Sequence, residues 1–572
     1  MSYCKRINRK LNARFGGRVT LREADHVLYL EGSLDRWDDV VEAGLLAANG
    51  RKYDGLVNDI VFTGDTIPPM RLPKIQDSAL EGKTPDIFII GGGIIGCSIA
   101  RECAKYDMRI LLVEKEHDIA MQTTGRNDGM VHPGIDLIPG QIKRKYNMRG
   151  NRMYDTVCRE LDVPFRRSGQ YICFQGKKMA LAAFFGQLYY HLFGPKVHYL
   201  SRKAFFHREP CMNPAISAAL YYPEAGVVSP YGLAIAYAEN AADNGVTFSL
   251  DTAVLSMSLE NGSIASVKTN RGTIYPKIVI NAAGVFSEEI ARMAQDRFFS
   301  IHPRKGTNTI LDHKASVRMN TIVSSFGTSS TKKRHTKGGG LVKTIDQNIL
   351  VGPDAVETYR KEDFSTNAQN IAFVFEKQSS TDPVLNIRDA ITYFSGVRAA
   401  TYEEDFIIRT GKWTKNIIHA AGIQSPGLTA APAIAEDVSK MAVNLLTKQR
   451  EVKRNIAFNP IRKGIVRMNE LDLEARDTLI HENADYGEII CRCEQISRGE
   501  VKDALHRSIP CDTLDGIKRR VRPGMGRCQG GFCGPLVLQI IADELSKPLE
   551  RVAKSAPGGE LLIGAIKEVT PQ

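Results

Sequence analysis

The segment Asp86-Ile87-Phe88-Ile89-Ile90 runs directly into Gly91-Gly92-Gly93-Ile94-Ile95-Gly96 and then into a helix-like stretch over residues 97–105. An apolar strand, a glycine turn and a helix in that order leave few alternatives. Gly91 permits the tight turn, Gly93 lets the backbone approach a pyrophosphate at the helix N-terminus, and Gly96 lets helix and strand pack closely. A second apolar strand, 110–113, ends in Glu114, eighteen residues past the last glycine. A carboxylate there can hold a ribose hydroxyl pair and repels a 2′-phosphate. These residues predict a dinucleotide-binding βαβ unit, with FAD and NAD both open at this point.

The unit sits inside a long α/β region. From Asp86 to about Thr447 apolar strands alternate with amphipathic helices. Before it, residues 1–75 form a small appendage: a basic stretch, strands over 18–21 and 26–31, a helix over 34–48 and a strand over 59–63. Apolar residues make up 43% of the 572 and charged residues 24%, which excludes wholesale disorder and collagen-like material. No run approaches the eighteen or so apolar residues of a membrane span, and residues 1–14 lack the apolar centre of a secretion signal, so a cytoplasmic location is expected. The net charge of +12 favours anions. An anionic small substrate, an acidic partner or a membrane surface touched peripherally all suit it. No nucleic-acid motif appears, and none is expected to bind.

The choice between FAD and NAD rests on two later segments. Lys277-Ile278-Val279-Ile280-Asn281-Ala282-Ala283-Gly284 is a strand ending in small residues, where bulk would collide with a cofactor lying across the sheet. Ile417-Ile418-His419-Ala420-Ala421-Gly422 leads through Gly427 into a helix-like run over 430–445, whose N-terminus can aim N–H groups at an electron-rich flavin edge. With these three elements the core resembles the D-amino-acid-oxidase superfamily of FAD enzymes. The resemblance implies an α/β fold, a Rossmann-like FAD-binding domain of the D-amino-acid-oxidase/glutathione-reductase type with an α+β substrate part. It spans 84–447, with FAD-binding parts near 84–160, 222–300 and 390–447 and substrate parts near 161–221 and 301–389. Implied FAD contacts are Gly91, Gly93, Gly96, Glu114, Lys115, Thr124, Gly125, Asn127, Gly129, Ala283, Gly284, Gly422, Gly427, Leu428 and Thr429.

The stretch Thr124-Gly125-Arg126-Asn127-Asp128-Gly129-Met130-Val131-His132-Pro133-Gly134-Ile135-Asp136, followed by Pro139-Gly140, narrows the resemblance. It is similar to glycerol-3-phosphate dehydrogenases and oxidases, including the anaerobic large subunit, with L-2-hydroxyglutarate oxidases next. Oxidising a secondary alcohol removes the hydroxyl proton while hydride leaves the carbon, which needs a base of pKa near 7. His132 is the candidate base, its bland alternative being a histidine that supports the loop. Arg398, in Ser395-Gly396-Val397-Arg398, matches an element whose guanidinium clamps the anionic end of the substrate, phosphate or carboxylate. Arg304-Lys305-Gly306-Thr307-Asn308-Thr309, Leu341-Val342-Lys343 and Arg409 depart from the usual pattern, and extra positive charge near the pocket is the expectation.

Cysteines carry the last signal. Eleven are present: six in the first 211 residues and five between Cys491 and Cys533. Cys491 and Cys493 are followed, after thirty-four intervening residues, by Cys528 and then Cys533, with glycines around the second pair. Four thiolates hold zinc or a [2Fe-2S] cluster. The CxC plus Cx4C spacing resembles the bacterioferritin-associated-ferredoxin-type domain, which implies the cluster and a helical domain over 486–550, after a connector at 448–485 and before a tail at 551–572. Cys511 is read as a non-ligand. The appendage resembles small BON-type domains associated with membranes or partners. Together these features imply an FAD-dependent dehydrogenase oxidising sn-glycerol 3-phosphate to dihydroxyacetone phosphate, with electrons passing through the cluster to a partner NAD(P)/FAD-dependent or iron–sulfur subunit. The alternatives are a 2-hydroxyacid dehydrogenase, an amine or amino-acid oxidase, and a non-catalytic electron-transfer subunit.

Overall fold

The structure, a computed structural model, describes residues 2–326 and 339–564. Residues 327–338 of the expected substrate part and 565–572 of the expected tail lie outside the described residues. No described helix is long and apolar enough to cross a membrane.

The appendage is a closed unit of α1 (Tyr3–Phe15), β1 (Val19–Ala24), β2 (Val27–Leu34), α2 (Trp37–Ala47) and β3 (Gly55–Phe62). Its basic start is helical because Ile7, Leu11 and Phe15 fall on one face and are buried. β1 and β2 pair antiparallel, while β2 and β3 run parallel, with α2 as the crossover a parallel pair requires. The unit sits on the main body: Asn58 donates through Nδ2 to the Tyr402 hydroxyl (2.9 Å), and Arg409 and Lys412 grip Asp54.

The main body is built on two large sheets, with two three-stranded sheets beside them among the described residues. The FAD-side elements are β4 (Ile87–Ile90), α3 (Ile94–Cys103), β5 (Ile110–Val113), α4 (Ile142–Glu160), α5 (Pro230–Asp243), β6 (Ile278–Asn281) and, after the substrate strands β7 (Ile301–Leu311) and β8 (Ala390–Thr401), β9 (Ile417–Ala421) and α6 (Gly427–Thr447). The first sheet runs Thr247–Ser249, β5, β4, β6, β9, Ile407–Thr410, all parallel except the last strand. Both faces of its strands are buried, which is why they read as unbroken apolar runs. Helices α3, α5 and α6 bury a common core against one face, and the small sheet of Val254–Glu260, Ser263–Thr269 and Gly272–Ile274 covers the other. The second sheet joins nine described strands, and β7 pairs β8 antiparallel with Arg304 opposite Arg398.

The C-terminal domain has a ribbon of Ile489–Cys491 with Ile496–Ser497, followed by α7 (Arg498–Leu505), α8 (Leu514–Val521) and α9 (Cys533–Glu544). Ser497 and Glu500 cap α7 reciprocally. The expected tail from 551 begins inside this domain. Val552 and Ala553 are buried and Lys554 pairs with Asp515 at 2.9 Å, because the domain's small core needs their apolar surface.

A Cβ on Gly44 of α2 would lie 2.2 Å from the Tyr402 ring. Gly44→Val is therefore expected to lift the appendage off the main body at a cost of about 1–3 kcal/mol. Limited proteolysis should cut the stretch between β3 and β4 faster, with flavin content unchanged.

Candidate functional site

The β4–α3 turn is crowded on every side. Gly91 has φ +112°, and a Cβ on it would lie 2.5 Å from the Ala282 carbonyl oxygen; one on Gly96 would lie 1.9 Å from that of Gly91. Gly93 caps α3, and Thr124 Oγ1 accepts from the Ile94 N–H (3.0 Å). At the end of β5, Glu114 accepts from Gly92 N–H (2.6 Å) and Glu116 N–H (2.8 Å), and burial pushes its carboxyl up to about 7. A cavity of about 120 Å³ runs past Gly91, Gly93, Glu114, Ala283 and Gly284. Lys115 borders it but carries its ammonium to Glu116 (2.8 Å) and Glu362 (2.6 Å).

This narrow cavity shares Gly93, Thr123, Thr124, Ala282 and Gly284 with a larger one of about 700 Å³. His132, Arg398, Asn127, Gly427 and Leu428 line the larger space. His132 is held by its backbone: its N–H donates to Thr429 Oγ1 (2.8 Å) and its carbonyl accepts from Asn151 Nδ2 (2.8 Å). Its Nε2 lies 3.4 Å from Ser425 Oγ. Gly422 and Thr429 do not line this cavity, Thr429 meeting it only through its bond to His132, whereas Gly125 and Gly129 face a different cavity beyond the loop. Asn127 braces the loop, donating to the Thr124 carbonyl (2.8 Å) and accepting from Gly129 N–H (2.9 Å).

Arg398 is half-buried beside Gly306, where a Cβ would lie 2.3 Å from its Nη2. Its one hydrogen bond among the described residues goes to the Asp354 carbonyl (3.3 Å), and burial lowers its pKa. The added positive charge expected at the pocket is not free. Arg304 lines the cavity but pairs with Glu357 and Glu404 (both 2.6 Å), Lys305 pairs with Asp363 (2.8 Å), and Arg409 is spent on Asp54 of the appendage (3.1 Å). Gln170 carried no signal in the sequence, and Asn308 stood there only as part of the departing segment 304–309. Both line the large cavity, and Gln170 Oε1 and Asn308 Oδ1 are buried without a partner among the described residues, as expected where a polar ligand completes the set. The small-residue cradle, the buried carboxylate, the α3 N-terminus and these open acceptors fit FAD with a polar substrate beside it.

The four expected cysteines come together in the C-terminal domain. Cys493 and Cys528 sulfurs are 3.7 Å apart, and Cys491 accepts from Cys533 and from the N–H groups of Gly524 and Glu494, which bring it down to about 6. They stand as two pairs, Cys493 with Cys528 and Cys491 with Cys533. Two thiolates on one tetrahedral metal at about 2.3 Å sit about 3.8 Å apart, so the Cys493–Cys528 pair is spaced to share one metal ion, as each iron of a two-iron cluster requires. Cys511 lies apart, its Sγ on the Ala504 carbonyl (3.5 Å).

Residues 86–441 match the FAD dependent oxidoreductase family and residues 489–543 the BFD-like [2Fe-2S] binding domain. The chain is 37% identical to a glycerol 3-phosphate dehydrogenase of Caloramator mitchellensis, covering 84% of this chain and 99% of that one. It is 24% identical to one subunit of the anaerobic glycerol-3-phosphate dehydrogenase of Escherichia coli strain K12, covering 79% and 87%. Among solved structures, the dithionite-reduced, FAD-bound L-alpha-glycerophosphate oxidase of Mycoplasma pneumoniae superposes with a TM-score of 0.61 at 28% identity, covering 66% of this chain and 98% of that one.

Two outcomes follow from this geometry. Glu114 in the folded apoprotein holds its proton more tightly than an unfolded glutamate, so it favours folding at acid pH and opposes it progressively as pH rises toward 7. Glu114→Gln should thus raise the apoprotein's melting temperature at pH 8, yet weaken FAD binding about tenfold or more through the lost charge-assisted bond, read by flavin fluorescence titration. Cys528→Ser should remove the cluster's visible absorption with flavin retained, while Cys511→Ser keeps both.

Proposed function

The chain belongs to the FAD-dependent oxidoreductase family, and on that premise we propose that it oxidises sn-glycerol 3-phosphate to dihydroxyacetone phosphate in the cytoplasm and delivers the electrons to a partner subunit. FAD and a [2Fe-2S] cluster are its cofactors. The flavin supplies two-electron acceptance at the alcohol carbon, and the cluster a one-electron exit. The observation that carries the reading is one cavity holding both the backbone-anchored His132 and the half-buried Arg398, which forms no salt bridge among the described residues. Arg398 holds the anionic end through its planar fork. His132 takes the hydroxyl proton, and Asn308 and Gln170 meet the substrate's remaining polar groups. Glu357 and Glu404 neutralise Arg304, so the anion is drawn to Arg398. The Escherichia coli relative is by name one subunit of its enzyme, which supports a partner.

The test is an anaerobic absorbance titration of the purified holoenzyme with sn-glycerol 3-phosphate, and with L-2-hydroxyglutarate in parallel. Stoichiometric bleaching of the flavin by glycerol 3-phosphate, followed by loss of cluster absorption, is expected. His132→Asn should bind the substrate but slow bleaching by about 10²–10⁴-fold. Bleaching by hydroxyglutarate alone would make Arg398 a carboxylate clamp, and bleaching by neither in a dithionite-reducible protein would sink the reading.

A further inference from the structure

Behind loop 125–129 lies a second cavity of about 460 Å³, closed by the N-terminus of α5, by β8 and by α8 of the C-terminal domain. It shares with the larger cavity only Arg126, Asn127 and Asp128. Its walls are rich in cations, and their counter-charges do not balance. Asp346 takes up Arg522 (2.7 Å) and Asp515 takes up Lys554 (2.9 Å). Asp128, the remaining acid, is held toward its neutral form by burial.

Three donors are left over. The Lys518 ammonium has no ion pair or hydrogen bond among the described residues, and burial lowers its pKa, with Lys554, Arg519 and Arg522 adding to that effect against Asp515. Arg126 gives its Nε–H to the Met121 carbonyl (3.1 Å) and stacks on Phe364, with no carboxylate partner among the described residues. Arg519 reaches Asp118 through Nη2 (2.7 Å) but leaves its Nε–H buried without an acceptor there. Cations gathered out of water in this way are costly unless an anion completes them. An ammonium and two guanidinium groups around one cavity suit a tetrahedral oxyanion of more than one charge. The remaining wall offers Tyr393 and Phe394, and the volume lies within the 300–1,000 Å³ or so typical of small-molecule sites, well beyond a bare phosphate.

We propose that this cavity is a second ligand site, taking a phosphate monoester carried on a flat ring, a mononucleotide in size and charge, held by Lys518, Arg126 and Arg519 between the loop behind the substrate cavity and the cluster domain. The proposal does not rest on the identity of the oxidised substrate.

Isothermal titration of the FAD-saturated full-length holoenzyme with AMP, inorganic phosphate and adenosine tests it. AMP is expected to bind once per chain without displacing FAD, at least about tenfold more tightly than phosphate, with adenosine weaker than either. Lys518→Ala should weaken AMP about tenfold or more while flavin and cluster absorption stay intact, and Lys518→Arg should restore most of it. No AMP binding at millimolar concentration, equal affinity for AMP and phosphate, AMP binding only in exchange for FAD, or unchanged affinity in Lys518→Ala would each overturn the assignment.

Discussion

Between the turn Gly91 to Gly96 and the strand beside it there is no room for a side chain, and much of the molecule is placed by that contact. A Cβ on Gly96 would stand 1.9 Å from a backbone oxygen. Only a bare backbone lets α3 begin where β4 ends, and the α3 N-terminus in turn needs an acceptor. Thr124 supplies it across thirty residues of chain. Thr124 thereby holds the loop that carries Asn127 and leads to His132, so one steric constraint sets the α3 N-terminus and the His132 wall of the larger cavity together. The same loop separates two cavities.

The substrate side is governed by a second constraint, the placement of two arginines opposite each other on paired strands. Arg304 and Arg398 share a register position on β7 and β8, and two unpaired guanidinium groups inside one pocket would be heavily penalised. Glu357 and Glu404 close on Arg304 alone. The asymmetry leaves Arg398 without a salt bridge among the described residues, and it turns a departure from the family pattern into a compensated cluster of one guanidinium and two carboxylates.

The cluster domain is tied to the same loop region. Asp118 is gripped by Arg519 (2.7 Å) and Arg520 (2.9 Å), and these partners hold its carboxyl down at about 2 despite burial. His117 bridges Asp251 (2.6 Å) and Asp512 (2.8 Å), whose hydrogen bonds raise it to about 10. Such a bridge contributes fully below the unfolded histidine's pKa and fades as pH climbs toward 10. Electron transfer between centres depends on their separation, so charge pairs of fixed geometry across this interface serve better than a free tether.

Local sequence determined the elements that one short segment can specify alone. The glycine turn with its flanking strands, Glu114 and the spacing of the four cysteines were all legible, because each depends on residues a few positions apart or on a backbone demand that only glycine meets. The helix over residues 3–15 was missed although its buried stripe of Ile7, Leu11 and Phe15 was there to read, since its charges dominated the composition. Tertiary structure alone decided the rest. Nothing near residue 304 announces Glu357 and Glu404, nothing near 409 announces Asp54, and the open acceptors of Gln170 and Asn308 acquire meaning only when two distant strands face one cavity. The cavity between the flavin-side loop and α8 belongs to neither segment. Burial and charge compensation arise between parts of the chain that sequence separates by hundreds of residues, and no local pattern can encode which cation will find its partner and which will not.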